Sequence, residues 1–219
     1  MSITFEIFEL VFSSFLETIY MVLLSTVFSL ILGLPIGIIL VLTQKNGLVE
    51  NIQLNRWLNS IINTTRSIPF IILIIVLFPL SRIVVGTSIG STAAIVPLSI
   101  AASPFVARVI ESSLNEIDKR VIEAAISLGA TIPQIIFKVM LKEALPSLIL
   151  GITLTIINIL GYSAMAGAIG GGGLGDLAIR YGYQRFRTDV LIITILILIL
   201  FVELIQRTGN FLARKFDKR

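Results

Sequence analysis

TIYMVLLSTVFSLILGLPIGIILVLTQ, residues 18–44, runs for 27 residues without one charged side chain. A helix needs about 20 predominantly apolar residues to cross the hydrocarbon core of a bilayer, so this stretch is long enough to span it. It does not read as a cleavable signal peptide. The residues before it carry Glu6, Glu9 and Glu17 but no Lys or Arg, and the run is about twice as long as the apolar region of such a peptide. Working outward, residues 58–80 form a second apolar run interrupted only by Arg66, and residues 83–107 a third without charge. Residues 144–175 are a fourth, and residues 190–206 a fifth, with Glu203 near its end. These runs are continuous rather than alternating, which argues against a membrane β-barrel. The expected fold class is an all-α membrane protein of five transmembrane helices at about 18–43, 58–80, 84–107, 145–169 and 190–206. The short link around Ser81, Arg82 and residues 85–88 is expected to be a tight turn loosened by Gly86 and Gly90.

Composition agrees. Of 219 residues, 56% are apolar and 14% charged, with a mean hydropathy of +1.00, against about 45–50% and 25% in soluble domains. With no Cys and no His, disulfides, thiol nucleophiles, imidazole metal ligands and Ser/His/Asp triads are excluded. The net charge of +4 comes from basic residues scattered between apolar runs, so no patch is offered to a nucleic acid.

Topology accounts for the charges better. With the N-terminus outside, the inner segments hold Lys45, Arg56, Arg66, Arg108, Lys119, Arg120, Lys138, Lys142, Arg207, Arg214, Lys215, Lys218 and Arg219. The outer ones hold only Arg82, Arg180, Arg185 and Arg187. That thirteen-to-four bias predicts an N-out, C-in arrangement.

Residues 108–143, between the third and fourth spans, are the longest connection and are patterned as helix. Asp118 is placed to cap a helix through Val121, Ile122, Ala124, Ala125 and Leu128, with Gly129 ending it at the first position beyond the cap. Thr131 and Gln134 form a capping-box pattern around Pro133. Ile132, Ile135, Ile136, Val139 and Met140 then give a second helix one apolar face. From the residues alone, this loop reads equally as an amphipathic linker at the interface.

Glu123-Ala124-Ala125, followed by Gly129, resembles the EAA motif of the membrane subunits of ABC importers. In that family the two small alanines let a short coupling helix dock into a groove on a separate ATPase. The usual closing Leu-Pro is displaced here, since Leu141 precedes Lys142 and Leu145-Pro146 comes four residues later. The resemblance narrows to methionine-importer permeases of the MetI type. It is carried by residues 66–70 (RSIPF), 85–90 (VGTSIG), 102–108 (ASPFVAR) and 161–165 (GYSAM), and covers nearly the whole chain as a single permease domain over 1–219. It implies an importer built from two copies of this chain, two copies of an ABC ATP-binding subunit and an extracellular substrate-binding lipoprotein. It also implies methionine as the substrate. Other small polar nutrients stand as the alternative, and a self-contained secondary transporter as a more distant one.

The resemblance implies coupling residues at Glu123, Ala124, Ala125 and Gly129, and Arg66, Pro69, Tyr162, Ser163 and Met165 are candidates for the substrate path or gate. Arg66 lies inside the second apolar run, where an unpaired charge costs about 2.5–3.5 kcal/mol unless it snorkels or finds partners. Either snorkelling or a role in the gate fits it, with Pro69 kinking the helix beside it. Met165 is flanked by the small residues Gly161, Ala164, Ala166 and Gly167, and a flexible thioether can plug a narrow path and move aside; packing is the plain alternative. Gly33-x-x-x-Gly37 permits close helix approach, and small faces on spans one, three and four are expected to favour contact with a second copy. Glu203 is placed to pair with Arg207 one helical turn on. The Gly-rich residues 170–175 formally contain G-x-G-x-x-G, but they follow a membrane helix and lack the strand a dinucleotide loop requires. There is no G-x-x-x-x-G-K-[ST], so a phosphate cradle for ATP must come from a partner. No cofactor is expected, and a secondary carrier would need midplane coupling charges and repeated halves that this sequence lacks.

Overall fold

The computed structural model describes residues 2–217, with side chains from Ile7 onward. Lys218 and Arg219, and the side chain of Glu6, lie outside the described residues. Among the described residues all regular structure is helical.

The first helix, α1 (Ser2–Thr43), begins 16 residues before the expected span. At 1.5 Å per residue it is about 63 Å long, roughly twice the hydrocarbon thickness. Its early turns are held by tertiary packing: Val11 is buried with Leu174, Leu177 and Val190 from the far end of the chain. A compact turn ends it, in which the N–H groups of Val49 and Asn51 donate to the carbonyls of Leu42 and Thr43 at 3.0 Å.

The second run is not one helix. α2 (Ile52–Ser67) and α3 (Phe70–Val85) meet at Ile68-Pro69 with a bend of 105°. The expected kink is therefore a break, which corrects the continuous span at 58–80. Pro69 can donate no backbone hydrogen bond, and it disfavours helical geometry at the residue before it. Ile68 is accordingly extended, with ψ 127. α3 then runs past Ser81 and Arg82, which were expected in a turn. Ser81 is buried and donates to the Ala93 carbonyl at 2.8 Å. The turn is made later, where Gly86 takes the left-handed conformation (φ 84) that closes α3.

α4 (Ser91–Asn115) starts seven residues after the expected 84 and extends to the far side of Arg108. A Cβ added at Gly33 would meet Val106 Cβ at 2.6 Å, and one at Gly37 would meet Ile110 Cβ at 2.6 Å. A four-residue step on α1 thus matches a four-residue step on α4, so the two helices run in the same direction in close contact. This agrees with one crossing, a return through α3, and a second crossing in the direction of the first. It also uses up the small faces of spans one and three inside the protomer, since Ala93, Ala94 and Ala102 are buried as well.

The long loop folds as α5 (Lys119–Ser127), α6 (Ile132–Gln134), a π-helical stretch Ile135–Met140 and α7 (Leu141–Glu143). α8 (Leu145–Ala168) matches the expected fourth span to within one residue. The glycine tract turns the chain back into α9 (Gly173–Leu177) and a second π-helical stretch, Ala178–Tyr183. A Cβ at Gly167 would lie 2.3 Å from the Asp176 backbone nitrogen, so glycine there is required by backbone approach, and the tract serves packing. α10 (Thr188–Phe216) continues ten residues beyond the expected 206. Within it Arg207 Nε donates to Glu203 Oε1 at 2.6 Å, the expected helical pair. α1, α4, α8 and α10 are long and apolar enough to cross a membrane, and the bent pair α2/α3 makes a fifth candidate.

Candidate functional site

Two regions gather the residues singled out by sequence. At one end of the bundle Asp118 caps α5, its carboxylate accepting from the Arg120 backbone N–H at 2.9 Å and from Arg120 Nε at 2.9 Å. This hydrogen bond to the carboxylate raises the Arg120 pKa above its ordinary value. Gly129 has φ 75. Its N–H donates to the Ile126 carbonyl at 2.9 Å, and that of Ala130 to Ala125 at 3.1 Å. The two bonds together form a Schellman closure. The capping box opens the next segment, with the Thr131 N–H donating to Gln134 Oε1 at 2.9 Å.

This geometry separates the alanine pair. Ala125 is buried against Leu114, Ile117, Ile135 and Met140 of its own chain. Glu123 and Ala124 are exposed, and Ile126 and Leu128 stand open beside them, Leu128 at 88% exposure. The α5 helix is therefore anchored through Ala125 and presents Glu123, Ala124 and two apolar side chains outward. Sequence reading missed Ile126 and Leu128 as part of that surface; the three-residue step from Glu123 to Ile126 and the four-residue step from Ala124 to Leu128 would have shown it.

The second region is the seam between α3 and α8. Tyr162 is half-buried and its ring stacks on Phe70, with centroids 3.8 Å apart and planes 8° off parallel. Met165 is 46% exposed. Leu154, Gly161, Met165 and Ala168 are all exposed at helical spacing, forming one stripe along α8, and a Cβ on Gly161 would meet no atom within 4 Å. Ser163 points elsewhere: it is 2% exposed and donates to the Leu160 carbonyl at 2.8 Å within its own helix. Pro69 heads α3, its carbonyl accepting from Ile72 at 2.9 Å and Leu73 at 3.1 Å. Arg66 ends α2, exposed and without an ion pair among the described residues. The Phe70–Tyr162 stack was not legible in sequence, because it joins residues 92 positions apart. No cluster of acidic residues suited to a metal ion occurs among the described residues.

Residues 33–219 match the family described as binding-protein-dependent transport system inner membrane component. The chain is 52% identical to the probable D-methionine transport system permease protein MetI of Pasteurella multocida, over 98% of this chain and 99% of that one. It is 48% identical to the protein of the same name from Vibrio cholerae, over 96% and 94%. Its fold matches a chain from a crystal form of the MetNI methionine ABC transporter in inward-facing conformations with a TM-score of 0.94. The identity there is 43%, with 96% of this chain and 98% of that chain covered.

Proposed function

This chain belongs to the family of binding-protein-dependent transport system inner membrane components, and from that premise we propose how it works as the permease subunit of an ATP-driven methionine importer. It is a multi-pass protein of the cytoplasmic membrane. Two copies form the substrate path, two copies of an ABC ATP-binding subunit hydrolyse ATP, and an extracellular binding lipoprotein delivers substrate. The chain itself is not an enzyme. The observation that carries this reading is the near-full-length agreement in both sequence and backbone with methionine-importer permeases.

Within that frame the N-terminus is outside and the C-terminus inside, which the distribution of Lys and Arg supports. The outward edge of α5 at Glu123 and Ala124 docks on the ATP-binding subunit, with Ala125 and Gly129 holding the helix to the permease. Movement of that subunit then reaches Leu114 at the end of α4, because Ala125 packs against it. The open stripe on α8 faces the second copy, since the other small-residue faces are already used within the protomer. Met165 and Tyr162 flank the path between protomers, Ser163 stiffens the helix that carries them, and the Arg66-Pro69 corner sits where α3 enters the seam.

The test is reconstitution of this chain with its ATP-binding and binding-protein partners in vesicles. ATP-dependent accumulation of labelled methionine is expected. Uptake by this chain alone without ATP would refute the reading, as would ATP-driven uptake that ignores methionine.

A further inference from the structure

The most unusual element for a membrane bundle is α2, IQLNRWLNSIINTTRS. It contains Arg56 and Arg66 but no acidic residue, and its Trp57 is the sole tryptophan of the chain. We propose that α2 lies in the membrane interface rather than across the bilayer, its open apolar edge in the acyl boundary and its two arginines holding anionic lipid headgroups.

The placement follows from what α2 touches. Asn55 Nδ2 donates to the Leu40 carbonyl at 2.8 Å and to Thr43 Oγ1 at 3.2 Å, in the last turns of α1. Ile62 is buried against Leu40 and Ala107, and Arg108 donates to Asn63 Oδ1 at 2.8 Å. From Asn55 to Asn63 the helix stays against the last turns of α1 and the first charge of α4. It then turns 105° into α3, and a helix nearly perpendicular to a crossing helix lies close to the membrane plane.

Its faces are divided accordingly. At 100° per residue, Asn55, Leu58 and Ile62 form the side packed on α1 and α4. Leu54, Trp57 and Ile61 form an exposed apolar edge, with Trp57 68% exposed. Arg56, Ser60 and Asn63 lie on a third, exposed polar side about 120° from that edge, and Arg66, exposed in the last turn, lies between the polar side and the packed one. A helix of low net hydrophobicity with a basic polar face and a tryptophan on its apolar face is the pattern of an interfacial helix. Charge selects lipid over a second copy of this chain: a two-fold contact through α2 would set the same uncompensated arginines against each other, whereas anionic headgroups complement them.

That this interface is the cytoplasmic one rests on the proposed orientation. The lipid test does not, because nanodiscs carry the same lipid on both faces. The full-length complex is placed in nanodiscs containing brominated phosphatidylcholine or brominated phosphatidylglycerol, and Trp57 quenching is read against a Trp57→Phe complex as blank. Bromines near the glycerol backbone are expected to quench more strongly than bromines near the chain end, because the apolar face of an interfacial helix reaches only about 5–10 Å into the headgroup/acyl boundary. Phosphatidylglycerol should be enriched around Trp57 about fivefold for each arginine engaged. An Arg56→Gln/Arg66→Gln variant should keep the shallow quenching and lose the lipid preference. Stronger quenching from the chain end would overturn the proposal by making α2 part of a crossing. So would no quenching from either lipid, which would mean that a protein partner covers the edge, or equal quenching by the two lipids in the unaltered complex.

Discussion

Tryptophan placed at Ala124 or at Ala125 should have different consequences, because the structure exposes the first of these adjacent residues and buries the second. Ala125 is 9% exposed and packs among Leu114, Ile117, Ile135 and Met140, each at most 6% exposed. An indole there has no free volume, and forcing extra atoms into such a core costs about 1–3 kcal/mol. For a domain of this size, that corresponds to a fall in melting temperature of about 2–12 °C. Ala124 is exposed, so Ala124→Trp should change stability by less than about 0.5 kcal/mol, or about 2 °C. It adds its bulk on the surface proposed to meet the ATP-binding subunit, and uptake and ATPase co-purification should drop together by more than about tenfold, the equivalent of 1.4 kcal/mol of lost docking. Thermal melts of the detergent-purified permease, co-purification and vesicle uptake separate the two effects. Normal ATPase retention and uptake in Ala124→Trp would show that the coupling surface lies elsewhere; an unshifted melt in Ala125→Trp would show that Ala125 is not anchored as described.

Four further outcomes are expected. Gly37→Leu should push α1 and α4 apart by about 1 Å, because even its Cβ would sit 2.6 Å from Ile110 Cβ and ordinary contact begins near 3.5 Å; a loss on the order of 3 kcal/mol should appear in the melt. Gly161→Leu, where nothing lies within 4 Å, should leave the isolated protomer unaffected and weaken the dimer. Cysteine at Met165 should cross-link two copies, and a monomer-only gel from an intact complex would refute the seam. A double-mutant cycle on Phe70→Leu and Tyr162→Leu should return a coupling of about 0.5–1.5 kcal/mol in thermal stability, and a coupling near zero would mean the rings do not stack in the assembled protein.

Sequence determined the broad outcome because membrane crossing is a property of local composition. Twenty uncharged residues must form a helix in lipid, where no water can satisfy the backbone, and α8 accordingly falls within one residue of its expected span. The caps of α5 and of the segment after it were equally legible, since Asp118, Gly129 and the Thr131/Gln134 box act on backbone atoms two to five residues away. The tertiary structure decided what depends on distant partners. Hydropathy cannot tell a 105° break at Pro69 from a gentle kink, because a segment packed on α1 and α4 and one exposed to lipid can share the same composition. Nor can it tell which small-residue face meets another helix of the same chain: Gly33 and Gly37 were used against α4, while Gly161 was left open. The separation of Ala124 from Ala125 is of the same kind. The two side chains are chemically identical, and only the position of Leu114, Ile135 and Met140 makes one an anchor and leaves the other on the surface.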